Sequence, residues 1–159
     1  MNPHNQAHQR PLWDEALPVR IDAVVRTWLD WVAPHDPWDS MRLDDITGEL
    51  RPLATALVNA ACDDAQERRR RIVRAAYAHG LFRRAQRFPK RLLGAELAVL
   101  REAIRADLEA SYWSDALIDQ TIDGLNTDLR LARKRAQRAY DWSPRDPLVV
   151  DPIELLAQR

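Results

Sequence analysis

Residues 72–88 read IVRAAYAHGLFRRAQRF, Pro89 follows, and residues 93–104 read LGAELAVLREAI. Both stretches repeat apolar side chains at spacings of three and four, the period of an α-helix with one buried face. Proline interrupts a helix because its ring removes a backbone donor and crowds the preceding turn. The pattern therefore predicts two helices that meet at Pro89, with His79 on the interior face of the first.

The composition of the whole chain is that of a helical globular domain. Its 159 residues suit one domain, 46% of them are hydrophobic, and only four are glycine. A β-rich chain of this length needs more glycines for its turns, whereas abundant alanine, leucine, arginine and glutamate favour helices. We predict an all-α domain at residues 18–141, a flexible segment at 1–17 and a proline-containing tail at 142–159.

Apolar spacing predicts five main helices, the last of them long. The first begins near Pro18, because proline is favoured in a first helical turn. The second follows Thr47, which is expected to cap it, and Ser114 is expected to cap the fifth. The other bounds are predicted at about residues 65–87, 91–111 and 114–141.

The fifth predicted helix has an apolar seam that repeats at alternating spacings of four and three. Its members are Ile118, Ile122, Leu125, Leu129, Ala132, Ala136 and Ala139. Such a heptad seam packs against the body of its own domain or against a second helix in a coiled coil. The spacing leaves both options open. The second option predicts a homodimer with this seam as its interface.

The net charge is zero, but the charges are segregated along the chain. Residues 68–91 carry ten basic side chains and no acidic one, and residues 130–138 carry five more. Arg70, Arg74 and Arg84 are candidate anion contacts, and a phosphate-binding patch of this kind predicts salt-sensitive nucleic-acid binding. Consecutive arginines point to several sides of a helix, so we favour ion pairing within the molecule. Nucleic acid is therefore not the expected partner.

Residue types that carry catalysis are not grouped in this sequence. The adjacent pairs Asp44-Asp45 and Asp63-Asp64 lie at predicted helix ends, where acids serve as caps. There is one cysteine, and no glycine-rich phosphate loop or metal-ligand spacing is found. We predict a non-enzymatic protein without a metal site or a cofactor. No apolar run is long enough for a membrane span, so a cytoplasmic location is expected.

His79 is the most informative single residue, and with Tyr77 and Phe82 it marks a possible ligand pocket. Three interpretations of His79 are open: a core histidine that is hydrogen-bonded to a neighbour, a haem ligand, and a pH sensor. We favour the first, because buried polar groups normally find partners without being ligands.

Four strings carry a resemblance to a known family. They are LDDITGELRPL at 43–53, AAYAHG at 75–80, RRAQRF at 83–88 and ELAVLR at 96–101. In this order they resemble the RsbRD-type N-terminal sensor domain, which precedes output domains in stressosome co-antagonists and in some bacterial histidine kinases. The resemblance covers about residues 20–141. Many members have a glycine before the phenylalanine, where this chain has Arg87.

The resemblance implies a globin-like or bundle-like sensor without haem that takes part in bacterial signal transduction and stress response. Such domains are usually dimeric and pass a signal along their last helix. Only residues 142–159 follow the predicted last helix. If the chain is complete, we expect action through a separate output protein, such as a kinase or an anti-sigma pathway component; if it is a fragment, a kinase or output domain has been lost.

Overall fold

The computed structural model describes residues 12–58, 65–111 and 113–142, and every regular element within them is helical. The six α-helices are α1 (Leu12–Val32), α2 (Leu43–Thr47), α3 (Leu50–Val58), α4 (Ala65–Ala85), α5 (Leu93–Ala110) and α6 (Asp115–Tyr140), with 3-10 turns at Trp38–Ser40 and Lys90–Leu92. The predicted all-α class with a long C-terminal helix is confirmed. Within these ranges no helix combines the length and apolarity of a bilayer-spanning segment.

Two predicted helix starts differ from the structure. Helix α1 begins at Leu12 rather than near Pro18, because Trp13 and Leu17 already continue the four-residue spacing that leads to Ile21. Thr47 does not cap α3; it is the last residue of α2, and its hydroxyl donates to the Leu43 carbonyl at 3.0 Å. Ser114 caps α6 as predicted. Of the predicted flexible segment at 1–17 and the predicted tail at 142–159, residues 1–11 and 143–159 lie outside the described residues, whereas residues 12–17 belong to α1 and are not the flexible segment that was predicted.

Helices α4 and α6 lie side by side and run in the same direction. Arg68, near the start of α4, is ion-paired with Asp128 of α6. Arg84, near the end of α4, donates to the carbonyl of Trp142, which follows α6. Between these contacts, Gly80 lies directly against the backbone of Ala136, so the two helices approach closely there.

Helix α5 runs antiparallel to both α1 and α6 and joins them. Arg101 and Arg105 of α5 contact Asn126 and Asp119 of α6, so the residue numbers rise in one helix as they fall in the other. On the other flank of α5, the Trp28 indole of α1 donates to the Glu96 carbonyl at 3.1 Å. The core therefore lies between α1, α3, α4, α5 and α6.

The apolar seam of α6 belongs to this core. All seven of its residues are at most 8% exposed in a single chain: Ile118, Ile122, Leu125, Leu129, Ala132, Ala136 and Ala139. The prediction that this seam forms a homodimer interface is therefore wrong, because α4 and α5 of the same chain already cover it. A periodic apolar face predicts that one side of a helix is buried, but it does not identify the element that covers that side.

Candidate functional site

The interior face of α5 carries one carboxylate among leucines. Glu96 is fully buried on the face that also contains Leu93, Leu97 and Leu100. Its Oε1 accepts from the Trp38 indole at 3.3 Å and pairs with Arg83 Nη2 at 2.6 Å. Its Oε2 accepts from Arg83 Nε at 3.2 Å and lies 3.1 Å from His79 Nε2. Four contacts thus satisfy a carboxylate that has no access to water.

The Arg83 guanidinium is the cationic partner in this buried polar cluster, which we define as His79, Arg83 and Glu96. Besides Glu96, it donates to the carbonyls of Asp45 and Ile46 at 2.8 and 2.7 Å and to the Gln86 side chain at 2.8 Å. All five of its N–H groups are therefore used. The two carbonyls lie near the C-terminal end of α2, where a cation is favourable. Arg83 thereby ties α2 to α4 and α5.

A left-handed residue ends α4 and sets the position of Phe88. Arg87 has a φ of 56°, the Phe88 N–H donates to the Arg83 carbonyl, and the Arg87 N–H donates to the Arg84 carbonyl. This pair of bonds is a Schellman ending, in which glycine is the usual residue at the Arg87 position. The turn places the Phe88 ring centroid 4.9 Å from the guanidinium carbon of Arg83.

His79 completes the cluster as a buried, hydrogen-bonded histidine, which confirms the favoured interpretation of this residue. With Glu96 ionised, Nε2 carries the hydrogen that points at the carboxylate. The other ring nitrogen, Nδ1, is buried without a partner among the described residues. The opposite charges of Arg83 and Glu96 form an ion pair inside the cluster. Binding a haem iron through Nε2 would break the contact to Glu96.

Opposing effects act on the Glu96 carboxyl. Burial by itself raises its pKa, but the hydrogen bond from His79 and the charges of His79 and Arg83 outweigh burial and lower the pKa below its usual value. The acid is therefore ionised at neutral pH. It serves as the fixed anion around which the indole, imidazole and guanidinium groups are arranged.

The predicted pocket of Tyr77, His79 and Phe82 does not exist as one site. His79 faces Glu96, whereas the half-buried Phe82 ring lies against Gly48 after α2. Tyr77 is buried within electrostatic reach of Arg138 on α6. Tyr77 is two and five positions from His79 and Phe82, so it lies on a different side of α4. His79 and Phe82 are one turn apart, yet His79 contacts Glu96 of α5 and Phe82 contacts Gly48 after α2.

Five of the ten basic residues at 68–91 form ion pairs within the described part of the molecule: Arg68, Arg70, Arg71, Arg83 and Lys90. Arg68 pairs with Asp128, Arg71 with Glu67 and Lys90 with Asp141. Asp128 belongs to α6, Glu67 belongs to α4, and Asp141 directly follows α6.

The three candidate anion contacts have separate surroundings. Arg70 lies 3.9 Å from Glu67. Arg84 donates to the Trp142 carbonyl. The half-buried Arg74 lines an open groove of about 490 Å³ between α3 and α4, where Arg51 and Arg71 also lie. The structure therefore does not bring Arg70, Arg74 and Arg84 together as one site.

Sequence reasoning missed Arg83 and Glu96 as members of a cluster, although the signal was present. Glu96 follows Leu93 by three positions and so falls on the apolar face of α5, and Arg83 follows His79 by four positions on α4. A charged residue at a core position of a helix needs a partner of opposite charge. A buried acid on one helix and a buried base on the next helix are therefore expected to pair with each other.

Comparisons with protein-family models, with curated proteins and with solved structures found no match for this chain. Among the described residues, no group of three or more histidine, cysteine, aspartate or glutamate side chains could hold a metal ion. The resemblance to the RsbRD-type sensor domains therefore rests on the quoted strings alone. His79, Arg83 and Glu96 are all contained in those strings, and the structure joins them in one cluster.

Proposed function

We propose that this chain is a non-catalytic signalling module, of the kind the RsbRD-type sensors represent, that passes a change in helix packing to a protein partner. The buried polar cluster is the observation that carries the proposal. It links α2, α4 and α5 through directional bonds, and Trp28 and Trp38 extend it to α1 and to the turn before α2. A displacement of any one of these elements disturbs bonds to the others.

The route from this cluster to the last helix is short. Arg83 and His79 are on α4, and Gly80, the next residue after His79, lies against the backbone of Ala136 on α6. Beyond Leu129, the buried residues of α6 are alanines, which bury little apolar area and therefore resist a shift of the helix weakly. A movement of α4 is in this way transmitted to the C-terminal half of α6.

The solvent-facing side of α6 is the expected contact for the partner. Arg130, Arg133, Lys134 and Arg138 are exposed there, and the sequence has no acid between residues 129 and 140. The family resemblance implies an output protein, such as a kinase or an anti-sigma pathway component, as this partner.

Site-specific photo-crosslinking in the cells that express the chain tests the proposal. A photoreactive amino acid at Lys134 is expected to trap a defined protein, whereas the same group at the exposed Asp30 of α1 serves as control. The purified partner is then titrated against the wild type, Gly80→Ala and Arg69→Gln. We expect Gly80→Ala to change the affinity and Arg69→Gln, on the same helix, to leave it within twofold. Equal labelling from both positions, or an affinity unchanged in Gly80→Ala, would refute the proposal.

A further inference from the structure

The open groove between α3 and α4, which we call the α3–α4 groove, shares no residue with the buried polar cluster or with the solvent-facing side of α6. Its volume of about 490 Å³ lies within the range of cavities that hold small molecules. It is lined by charged residues and by small or uncharged ones: Glu49, Arg51, Arg71 and Arg74, and Pro52, Thr55, Ala56, Ala75 and Ala78.

Arg74 is a cation of this groove that has no partner within the described residues. Its half-buried side chain forms no ion pair and no hydrogen bond there, and its Nε–H is buried. Buried N–H groups in folded proteins are normally paired with protein, with water or with a bound group. An acceptor bound in the groove would supply the missing partner.

The other two arginines of the groove have partners that solvent reaches. Arg51 pairs with Asp22, and Arg71 Nε lies 3.1 Å from Glu67. Glu67 is shared, because Arg70 lies 3.9 Å from the same carboxylate. Exposed ion pairs of this kind are weak in water, so these pairs do not prevent either arginine from turning toward an anion in the groove.

The single acid of the lining limits the charge that the groove accepts. Glu49 is half-buried and, like Arg74, forms no ion pair within the described residues. Its carboxylate repels an anion, and the repulsion grows with the charge of that anion. A ligand with one negative charge, held at Arg74, therefore fits better than a phosphate dianion.

We propose that the α3–α4 groove binds a small carboxylic acid that has an apolar body. The ligand carboxylate accepts from Nε and from one terminal nitrogen of Arg74, the paired geometry that a guanidinium offers. The apolar body lies against the proline and the alanines of the lining. From Arg71 to Ala78 the groove follows about 10 Å of α4, which suits a body of one ring rather than a protein segment.

This site is separate from the partner contact proposed above, and its test needs no partner. Phenylacetate is titrated into the full chain at pH 7.5 and constant ionic strength, with calorimetry and ¹H–¹⁵N spectra as readouts. We expect saturable binding and a shift of the Arg74 Nε–H resonance with the same concentration dependence. Acetate lacks the ring and phenethylammonium reverses the charge, so each is expected to bind at least about tenfold more weakly.

Two variants of the lining should change the affinity for phenylacetate in opposite directions. Arg74→Gln removes the guanidinium and is expected to weaken binding about tenfold or more. It should fold as well as the wild type without ligand, because Arg74 has no partner to lose. Glu49→Gln removes a like charge and is expected to tighten binding by about twofold. Arg69→Gln, an exposed change on α4 outside the groove, should leave the affinity unchanged.

Four results would overturn the site. Affinity that a folded Arg74→Gln retains, or that Glu49→Gln lowers, would place the ligand elsewhere. Acetate that binds as tightly as phenylacetate would reduce the groove to a charged surface without an apolar subsite. An Arg74 resonance that stays fixed as phenylacetate saturates would separate binding from this residue. Binding of a short DNA duplex that requires Arg74, with none of phenylacetate, would assign the groove to nucleic acid.

Discussion

At the scale of single residues, the molecule is characterised by a charged pair placed where helices normally have only apolar side chains. Glu96 and Arg83 have no exposed surface, and nearly every donor and acceptor of the buried polar cluster has a partner. Such a pair costs desolvation free energy, and removing one partner costs more than the pair contributes, because the other charge is then left buried alone. The cluster therefore fixes one arrangement of α2, α4 and α5.

Glu96→Gln tests this directly. At pH 7 we expect the variant to lose about 3–5 kcal/mol of unfolding free energy, since Arg83 is left without its counter-charge. Because the folded-state pKa of Glu96 is lowered, the unfolded chain binds more protons in acid. The stability from this group is thus complete above pH 4.5, the usual pKa of the group, and is lost as the pH falls through the folded-state pKa.

Urea unfolding between pH 7 and pH 3 measures both effects. The unfolding free energy of the wild type should fall steeply as the pH is lowered. The unfolding free energy of Glu96→Gln should depend less steeply on pH. Glu102→Gln, a change of an exposed acid on the same helix, is the matched control and is expected to stay within about 0.5 kcal/mol of the wild type. Equal stability of Glu96→Gln and wild type at pH 7 would contradict the role of the cluster.

A second prediction at the scale of single residues concerns the backbone angle of Arg87. Its φ of 56° is unfavourable for a side chain with a Cβ but costs glycine nothing. We expect Arg87→Gly to raise the unfolding free energy by about 0.5–1 kcal/mol, which urea titration resolves. Arg69→Gly, in the interior of α4, should lower it by about 1 kcal/mol. A loss of stability in Arg87→Gly would show that the side chain contributes more than the backbone angle costs.

At the scale of elements, the parallel contact between α4 and α6 decides how the last helix is held. The two helices approach each other closely at Gly80, where an added Cβ would overlap the carbonyl group of Ala136. Glycine is needed here for space rather than for an unusual backbone angle. It also explains why the buried residues in this half of α6 are alanines: a larger side chain at Ala136 would hold the helices apart.

Gly80→Ala and Gly124→Ala form a matched pair. Alanine is about 1 kcal/mol better than glycine in a helix interior, and at Gly124 no atom lies within 4 Å of the added Cβ. Gly124→Ala should therefore be stabilising by about that amount. Gly80→Ala should be destabilising by about 1–3 kcal/mol, because overpacking outweighs the gain in propensity. Denaturant unfolding of both variants separates the gain in helix propensity from the cost of steric overlap. A stabilised Gly80→Ala would rule out the close contact.

At the scale of the whole molecule, the fold encloses the seam of α6 and leaves the charged side of the helix in solvent. Leu125 is 5% exposed in one chain and packs in the common core. A dimer, if the chain forms one, therefore uses another surface. The same arrangement places most of the two basic stretches on the parallel neighbouring helices α4 and α6.

Leu125→Asp tests whether the apolar seam of α6 packs in the core of one chain or forms an interface between two chains. In the core, a buried and unpaired carboxylate should unfold the chain or remove at least about 3 kcal/mol of its stability. Circular dichroism and size-exclusion chromatography with light scattering report both fold and mass. Asp123→Asn, an exposed neighbour, should leave both unchanged. A well-folded Leu125→Asp monomer from a dimeric wild type would restore the interface interpretation.

Much of the fold could be predicted from the chain itself. The helical class, the break at Pro89, the Ser114 cap and the apolar face of each long helix follow from local rules that act within a few turns. The start of α1 and the role of Thr47 were predicted wrongly, because caps and first-turn prolines are short signals that neighbouring apolar spacing outweighs. The site was predicted only in part: His79 was placed in the core, but its two partners were not recognised.

The sequence by itself determined where helices form and which of their faces are buried, since both depend on periodicity and on capping groups within one turn. Only the tertiary structure decided what covers the seam of α6, which carboxylate meets His79 and Arg83, and where Tyr77 points. These contacts join residues that are distant along the chain, such as Ile46 and Arg83 or Phe88 and Tyr140. They depend on how helices dock, and the apolar spacing within one helix does not specify which neighbour covers it.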